Sequence, residues 1–371
     1  MRILHVVTRL GLGGAERVAE TLAGGSVARG HQVSIMPVVA ATDRAYRDDM
    51  VRRLMEHGVG VDRGATSSSA RIAVLEAAER LILTVARQRP DVLHLHTEIP
   101  EFAWALASLP SRGLRAVPVV RTVHNTVLWG GWGRMGRFAE GRLAGARIAA
   151  VSQAARRAFI EWQRRPADHP GDPVLIYNGV DVAHLPDARR HLGRPPRLCF
   201  AGRFEPQKGI DVLLAAIERL APSDLEFRVE IYGAGTLGEQ VAAAAARSPG
   251  RIVVSPPVPD LRDRLGSMDA VLMPSRFEGM PLLAVEALCV GVPILATSAP
   301  GLDEVFPDWY PGRCPPGDAT AYGELLRDFL ADPAGWREAA TRARPEARER
   351  FSLEAMVAAY ERIYEEAITA P

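Results

Sequence analysis

The chain has 371 residues, more than a single hydrophobic core usually serves, so two domains are expected. Its 47% hydrophobic and 24% charged residues suit a globular protein, and a net charge of +1 excludes any global attraction to nucleic acid or an acidic partner. Three widely spaced cysteines, Cys199, Cys289 and Cys314, argue against a disulfide framework or metal cluster and suit a reducing compartment. No run of about eighteen apolar residues suggests a membrane span. The opening MRILHVVTRL lacks the pattern of a secretory leader, so a cytoplasmic location is expected.

Ile3 to Thr8 reads as a strand, Gly11-Leu12-Gly13-Gly14 as a loop, and a helix starts near Ala15. Strand, glycine loop and helix make a phosphate-cradle layout, although a tight turn would look the same. The spacing is not that of a dinucleotide fingerprint, and no acid closes the next strand, Gln32 to Val39. The alternation continues with a helix at Arg71 to Arg89 ended by Pro90, a strand at Val92 to His96, and a short helix at Phe102 to Leu109. Strands follow at Val117 to Val123, Arg147 to Val151 and Val174 to Tyr177. Strands separated by helices predict a doubly wound parallel sheet.

His94 and His96 share one face of a strand; packing or a substrate contact competes with a metal pair, which lacks a third ligand. His124 stands at a strand exit, where ligands bind, and either meets a sugar hydroxyl, helps order the reacting centre as a catalytic residue, or is satisfied by local backbone. The stretch from Trp129 to Arg165 is arginine-rich, and its glycines predict a loop at its start. Arg134, Arg137, Arg142 and Arg147 would form a solvated basic face, a lid over an anionic acceptor, or a weak contact with an anionic membrane.

A polar stretch at 184–196 separates 1–183 from 197–351 and is the expected linker. Beyond it Arg197 to Ala201 is a strand, residues 202–209 (GRFEPQKG) a loop, and Ile210 to Leu220 an amphipathic helix. Arg203, a planar fork, and Lys208, a point charge, suit a diphosphate or a leaving group gaining negative charge. Lys208 is the only lysine among 45 basic residues. Strands are predicted at Phe227 to Tyr232, Ile252 to Val254, Ala270 to Met273, Pro293 to Thr297 and Gly301 to Phe306. Helices are predicted from Leu237, at Ala319 to Leu330, at Ala334 to Arg350, and at Leu353 to Ile368.

The stretch MPSRFEGMPLLAVEAL, Met273 to Leu288, organises the second half. A buried strand ends, a loop runs to Met280, and a helix begins around Pro281, where a missing N–H is harmless. Gly279 lets backbone N–H groups approach a ligand, and the helix N-terminus favours negative charge. Glu278 and Glu286 flank that start, and acids beside an anion site make sense as acceptors for sugar and ribose hydroxyls.

With these residues in view, the chain resembles the retaining glycosyltransferases of family 4, of GT-B architecture. The resemblance rests on residues 13–17 (GGAER), His124, residues 178–181 (NGVD), residues 202–209, and the Glu278 and Glu286 pair with seven residues between. It implies two Rossmann-like parallel-sheet domains facing a cleft. The first, on the acceptor side, would be rejoined by a terminal helix at 352–371; the second would bind the donor. It implies that Arg203 and Lys208 bind the donor diphosphate, and that Glu286 takes the ribose. Glu278 and the backbone of Gly279, Met280, Pro281 and Leu282 would meet the donor sugar and phosphate. Gly13 and Gly14 would approach the phosphate, and His124 would lie near the sugar.

No metal or cofactor is expected beyond a UDP- or GDP-type sugar co-substrate, and no covalent nucleophile. The sugar would be a hexosyl or N-acetylhexosaminyl unit moved to a carbohydrate, lipid-linked or small-molecule acceptor in glycoconjugate synthesis. The Lys208 loop favours transfer over a nucleotide-sugar epimerase of similar architecture, and the intact basic and acidic pairs disfavour a non-catalytic binding module. Ala299-Pro300-Gly301 stands where the family usually has a glycine pair.

Overall fold

The computed structural model describes residues 1–67, 70–164, 171–188, 192–220, 225–259 and 261–370. Positions 189–191 of the expected linker, Arg165 and Pro371 lie outside the described residues. The chain forms two compact units, Met1–Gly179 with Leu353–Pro371, and Val180–Ser352.

The first unit carries β1 (Arg2–Val7), β2 (Gln32–Pro37), β3 (Gly60–Val61), β4 (Val92–His96), β5 (Val119–Val123), β6 (Arg147–Ala150) and β7 (Val174–Leu175). They form one sheet in the order β3-β2-β1-β4-β5-β6-β7, with every pair parallel. Its helices are α1 (Gly14–Ala28), α2 (Arg44–Glu56), α3 (Ala70–Gln88), α4 (Glu98–Ala107), α5 (Arg112–Arg115), α6 (Gly133–Arg142) and α7 (Gln153–Gln163). β4 and β5 are buried at every position, because a parallel strand covered by helices on both faces has no polar side.

The second unit carries β8 (Arg197–Ala201), β9 (Arg228–Tyr232), β10 (Ile252–Ser255), β11 (Ala270–Met273), β12 (Ile294–Thr297) and β13 (Arg313–Cys314), ordered β10-β9-β8-β11-β12-β13 and all parallel. Its helices are α8 (Ile210–Leu220), α9 (Gly238–Arg247), α10 (Leu261–Arg264), α11 (Leu282–Val290), α12 (Ala319–Ala331) and α13 (Pro333–Arg350). Two Rossmann-like parallel sheets confirm the expected fold class. Gly301 to Phe306 is not a strand: a 3-10 turn at Asp303–Val305 stands there, and Arg313–Cys314 is the edge strand. Those apolar residues pack the turn inward, with Leu302 and Val305 buried, so their hydrophobicity marks core rather than sheet.

A last helix, α14 (Leu353–Thr369), returns to the first unit and buries Met356, Tyr360 and Tyr364 along one face. Gly25 of α1 permits that approach, because a Cβ there would lie 2.6 Å from Val357. The tyrosines end in a buried polar chain: Tyr364 Oη lies 2.7 Å from His94 Nδ1, His94 Nε2 lies 2.7 Å from Thr122 Oγ1, and that hydroxyl lies 2.9 Å from Tyr360 Oη. Tyr364→Phe leaves a buried ring nitrogen unmatched, so unfolding of the first unit in urea should become easier by about 1–3 kcal/mol. A loss below about 0.5 kcal/mol would show that the contact is not holding the helix.

Candidate functional site

In each sheet the strand order reverses once, between β1 and β4 in the first unit and between β8 and β11 in the second. Loops leaving the carboxyl ends of strands at such a reversal diverge and open a crevice, which is where doubly wound sheets hold ligands. In the second unit the loop after β8 carries Arg203 and Lys208, and the loop after β11 carries Glu278.

The two loops are tied together. Gly209, at φ +66°, closes the first loop against β11, and a Cβ there would sit 1.9 Å from the Pro274 carbonyl oxygen. The Arg276 N–H donates to the Gln207 carbonyl at 2.8 Å, and the Gln207 amide donates to the Phe277 carbonyl at 3.2 Å. The Arg276 guanidinium forks onto Asp211 at 2.7 and 2.8 Å, and this hydrogen bonding holds the Asp211 carboxyl below its ordinary range. On the far side Glu205 accepts from the Thr236 hydroxyl at 2.7 Å and from its N–H at 3.1 Å.

This frame brings Lys208 and Glu278 together. The ammonium lies 2.7 and 2.8 Å from the two carboxylate oxygens, and the Ser275 hydroxyl donates to one of them at 2.7 Å. The carboxylate side chain is 5% exposed and the lysine 22%, so the pair sits at the floor of the loops rather than on open surface. Arg203 reaches the same loop's end, donating to the Gln207 side-chain oxygen at 2.9 Å.

Behind Glu278 begins α11, whose N-cap, Pro281, makes no side-chain capping bond. The helix end therefore keeps backbone N–H groups for a ligand to fill. Gly279, Met280, Pro281 and Leu282 form this turn, with Met280 and Pro281 buried. Glu286 is a half-buried carboxylate in a helix whose neighbouring positions Ala284, Val285, Ala287 and Leu288 are all buried.

Gly301 backs the Glu278 loop. Its φ is +78°, and a Cβ would fall 2.2 Å from the Glu278 carbonyl oxygen and 2.3 Å from that of Gly279. The Glu278 N–H donates to the Pro300 carbonyl at 2.9 Å. Within the Ala299-Pro300-Gly301 departure, then, only the last position demands glycine. Gly301→Ala should displace the loop and weaken nucleotide binding roughly tenfold while far-UV circular dichroism stays unchanged; full retention of affinity would disconnect this loop from binding.

In the first unit Gly13 is the N-cap of α1 in extended geometry, and a Cβ there would meet the Glu16 side chain at 2.1 Å. Gly14 opens the helix with clear space around it. His124 follows β5 and is buried, and desolvation pushes its pKa down to about 3, so it is neutral. It lines a pocket with Thr97, Glu98, Arg121 and Trp129. Two of these, Thr97 at φ +73° and Trp129 at φ +54°, hold strained backbone for residues with side chains. Glu98 was not singled out from sequence; burial raises its carboxyl pKa.

His5, absent from the sequence reading, joins His94 and His96. These are the one such group among the described residues whose potential metal-ligating atoms converge, within 4.8 Å. Five of their six nitrogens are already used: His5 Nδ1 meets His96 Nε2 at 2.9 Å, His96 Nδ1 meets His124 Nε2 at 3.1 Å, and His94 serves Tyr364 and Thr122, which leaves His5 Nε2 alone unmatched. This favours the packing reading of His94 and His96.

The expected basic face is partly dismantled. Arg134 and Arg137 are exposed on α6, but Arg142 donates to the Ser108 hydroxyl at 3.1 Å; of the glycines predicted to make a loop, Gly130 and Gly131 lie in a turn, while Gly133 and Gly136 lie in the helix. Gly136 is there for contact: a Cβ would lie 2.6 Å from Trp129.

Known proteins resemble this chain in family and fold. The model "Glycosyltransferase Family 4" matches residues 12–184, and "Glycosyl transferases group 1" matches 184–350. A glycogen synthase of Mycobacterium tuberculosis is 29% identical over 330 residues, 83% of this chain and 77% of the relative. A D-inositol 3-phosphate glycosyltransferase of Catenulispora acidiphila is 31% identical over 277 residues, 66% of this chain and 65% of the relative. Among solved structures, Anabaena Alr3699/HepE in complex with UDP and glucose superposes with a TM-score of 0.81 at 19% identity, over 99% of this chain and 100% of that one. Sucrose-phosphate synthase from Thermosynechococcus elongatus gives 0.80 at 17% identity, over 100% of both. At these identities the structural likeness is one of fold.

Proposed function

This chain is a glycosyltransferase of GT-B architecture, and we propose that it moves a hexosyl or N-acetylhexosaminyl unit from a nucleotide-diphosphate donor with retention at the anomeric carbon. The observation that carries the donor half is the Lys208–Glu278 pair at the uncapped start of α11. A diphosphate needs cations and free N–H groups, and a sugar needs carboxylates that accept from hydroxyls.

In this reading Arg203 and Lys208 hold the two phosphates and stabilise the charge that grows as the glycosidic bond breaks. The backbone at Gly279 to Leu282 takes the remaining phosphate oxygens, Glu286 takes the ribose hydroxyls, and Glu278 takes those of the sugar. In the first unit Gly13 and Gly14 give close backbone approach, and His124 meets the sugar. Residues 197–351 serve the donor and the first unit serves the acceptor. The reaction is driven by leaving-group stabilisation and positioning, with no covalent intermediate on the protein and no resident metal. That the neighbour HepE is seen with UDP and with UDP-glucose supports a uridine donor.

The test is a thermal-shift panel of UDP, GDP, ADP and their sugar conjugates, followed by slow hydrolysis of whichever conjugate binds. UDP is expected to raise the melting temperature, and the anomer released identifies the stereochemistry. A flat response to every nucleotide would remove the donor assignment.

A further inference from the structure

We infer that the buried chain His5–His96–His124 carries its protons pointing outward, so that His124 presents an Nδ1–H donor to its pocket, with His5 and His96 as positioning residues. The identity of the ligand oxygen that receives it rests on the function proposed above; the placement of the protons does not.

Three rings are linked by two contacts, His5 Nδ1 to His96 Nε2 at 2.9 Å and His96 Nδ1 to His124 Nε2 at 3.1 Å. All three are buried. Desolvation pushes the pKa of His5 and His124 down to about 3 and that of His96 well below its ordinary value, so each ring is neutral with one N–H. Each contact needs one proton between its nitrogens. Because His96 can be neither doubly protonated nor bare, only two arrangements satisfy both contacts. In the outward one every ring carries its proton on Nδ1; in the inward one every ring carries it on Nε2.

The inner end decides between them. His5 Nε2 is buried with no hydrogen-bond partner. Inward polarity would put an N–H there with nothing to receive it, whereas outward polarity leaves only an unfilled lone pair. Orphaned buried N–H groups are rarer in proteins than under-used acceptors. The outer end exerts no opposing demand, since His124 Nδ1 is the nitrogen left for the pocket and either a donor or an acceptor can be met there. The unmatched His5 Nε2 two rings away thus sets what His124 offers a ligand.

The consequence for chemistry is specific. With its pocket-side nitrogen already protonated and the ring neutral, His124 cannot take a proton from a ligand hydroxyl. It donates to an oxygen acceptor, a hydroxyl or ring oxygen of the sugar, and belongs to recognition rather than to base catalysis.

The experiment is NMR of the full chain labelled with ¹⁵N and ¹³C histidine, in which two-bond couplings to the ring protons report which nitrogen of each of the nine histidines is protonated. The native chain is expected to show Nδ1–H at His5, His96 and His124, and Nε2–H at His124 would overturn the inference. His5→Met substitutes a group that can only accept, so the proton on His124 should move to Nε2. His5→Gln can still donate to His96 and should keep it on Nδ1. A His5→Met chain with His124 unchanged, or a His5→Gln chain with it reversed, refutes the positioning role. Should His5→Met fail to fold, the native spectrum and His5→Gln still decide. Absence of any nucleotide response with these protons in place would defeat the proposed function and leave this inference standing.

Discussion

Lys208→Ala should lower kcat/KM for sugar transfer by about 10²–10³-fold and remove most of the thermal stabilisation given by the nucleotide. The expectation comes from what the ammonium touches. It holds both oxygens of Glu278, whose only other side-chain partner among the described contacts is the Ser275 hydroxyl. Truncation deletes the one flexible point charge in the loop after β8 and also strands a carboxylate that is 5% exposed. Leaving such a group short of partners costs about 1–3 kcal/mol of stability, so the single variant confounds two effects. The double variant Lys208→Met with Glu278→Gln separates them, because it removes the charge from both sides. Its stability should return to within about 1 kcal/mol of the parent, while activity stays low. Nucleotide stabilisation that survives in Lys208→Ala would place the diphosphate elsewhere. Glu286→Ala is the companion test, with loss of nucleotide stabilisation and an intact fold as the expected pair of results.

What the sequence disclosed follows from how much each element had to bury. The strands at Val92–His96, Arg197–Ala201 and Ala270–Met273 and the helix at Ile210–Leu220 were located to the residue. Each buries a largely apolar face and has glycine or proline within two residues of at least one end. α2 escaped because seven of its thirteen residues are charged and only Met50 and Leu54 are buried. Its sole legible mark was Asp43, whose carboxylate accepts from the N–H groups of Ala45 and Tyr46 as an N-cap. The two-residue strands β3 and β13 are too short to carry any period, whereas β7 lies inside the strand predicted at Val174 to Tyr177.

The glycines of α6 misled for a different reason. They read as part of a loop, yet Gly136 exists so that two indoles, Trp129 and Trp162, can reach the helix backbone. At the site, charge type and loop position pointed to Arg203, Lys208, Glu278 and Glu286, but not to the direct Lys208–Glu278 contact, which joins residues 70 apart. His5 and Arg121 stayed hidden because a polar residue inside an apolar strand announces nothing about the neighbours that will satisfy it.

Arg121→Met should destabilise the first unit by about 3–5 kcal/mol while leaving nucleotide affinity intact. Arg121 lies on β5 with a side chain 2% exposed, and it makes four hydrogen bonds to two carboxylates. Glu101 of α4 receives two at 2.8 Å, and Glu140 of α6 receives two at 2.5 and 2.7 Å. Phe159 of α7 packs on the guanidinium, 5.2 Å from ring centroid to Cζ. Burial would lower the pKa of Arg121, but the two acids outweigh it and push the value up, so the cation is permanent. One residue on β5 thereby clamps α4 and α6 to the sheet.

Methionine fills much of the same volume but leaves Glu101 and Glu140, with side chains 4% and 11% exposed, facing each other without a cation. Although Arg121 lines the same pocket as His124, its N–H groups are committed to the acids, so it does not act as an anion site. The loss should therefore appear as faster amide exchange across β5 and α4, with protection in β8 and β11 unchanged. Adding Glu101→Gln and Glu140→Gln to Arg121→Met should recover most of the stability, because no unpaired charge then remains. If Arg121→Met instead weakened nucleotide binding at constant stability, the guanidinium would be reaching a ligand, and its place as a purely structural clamp would have to be given up.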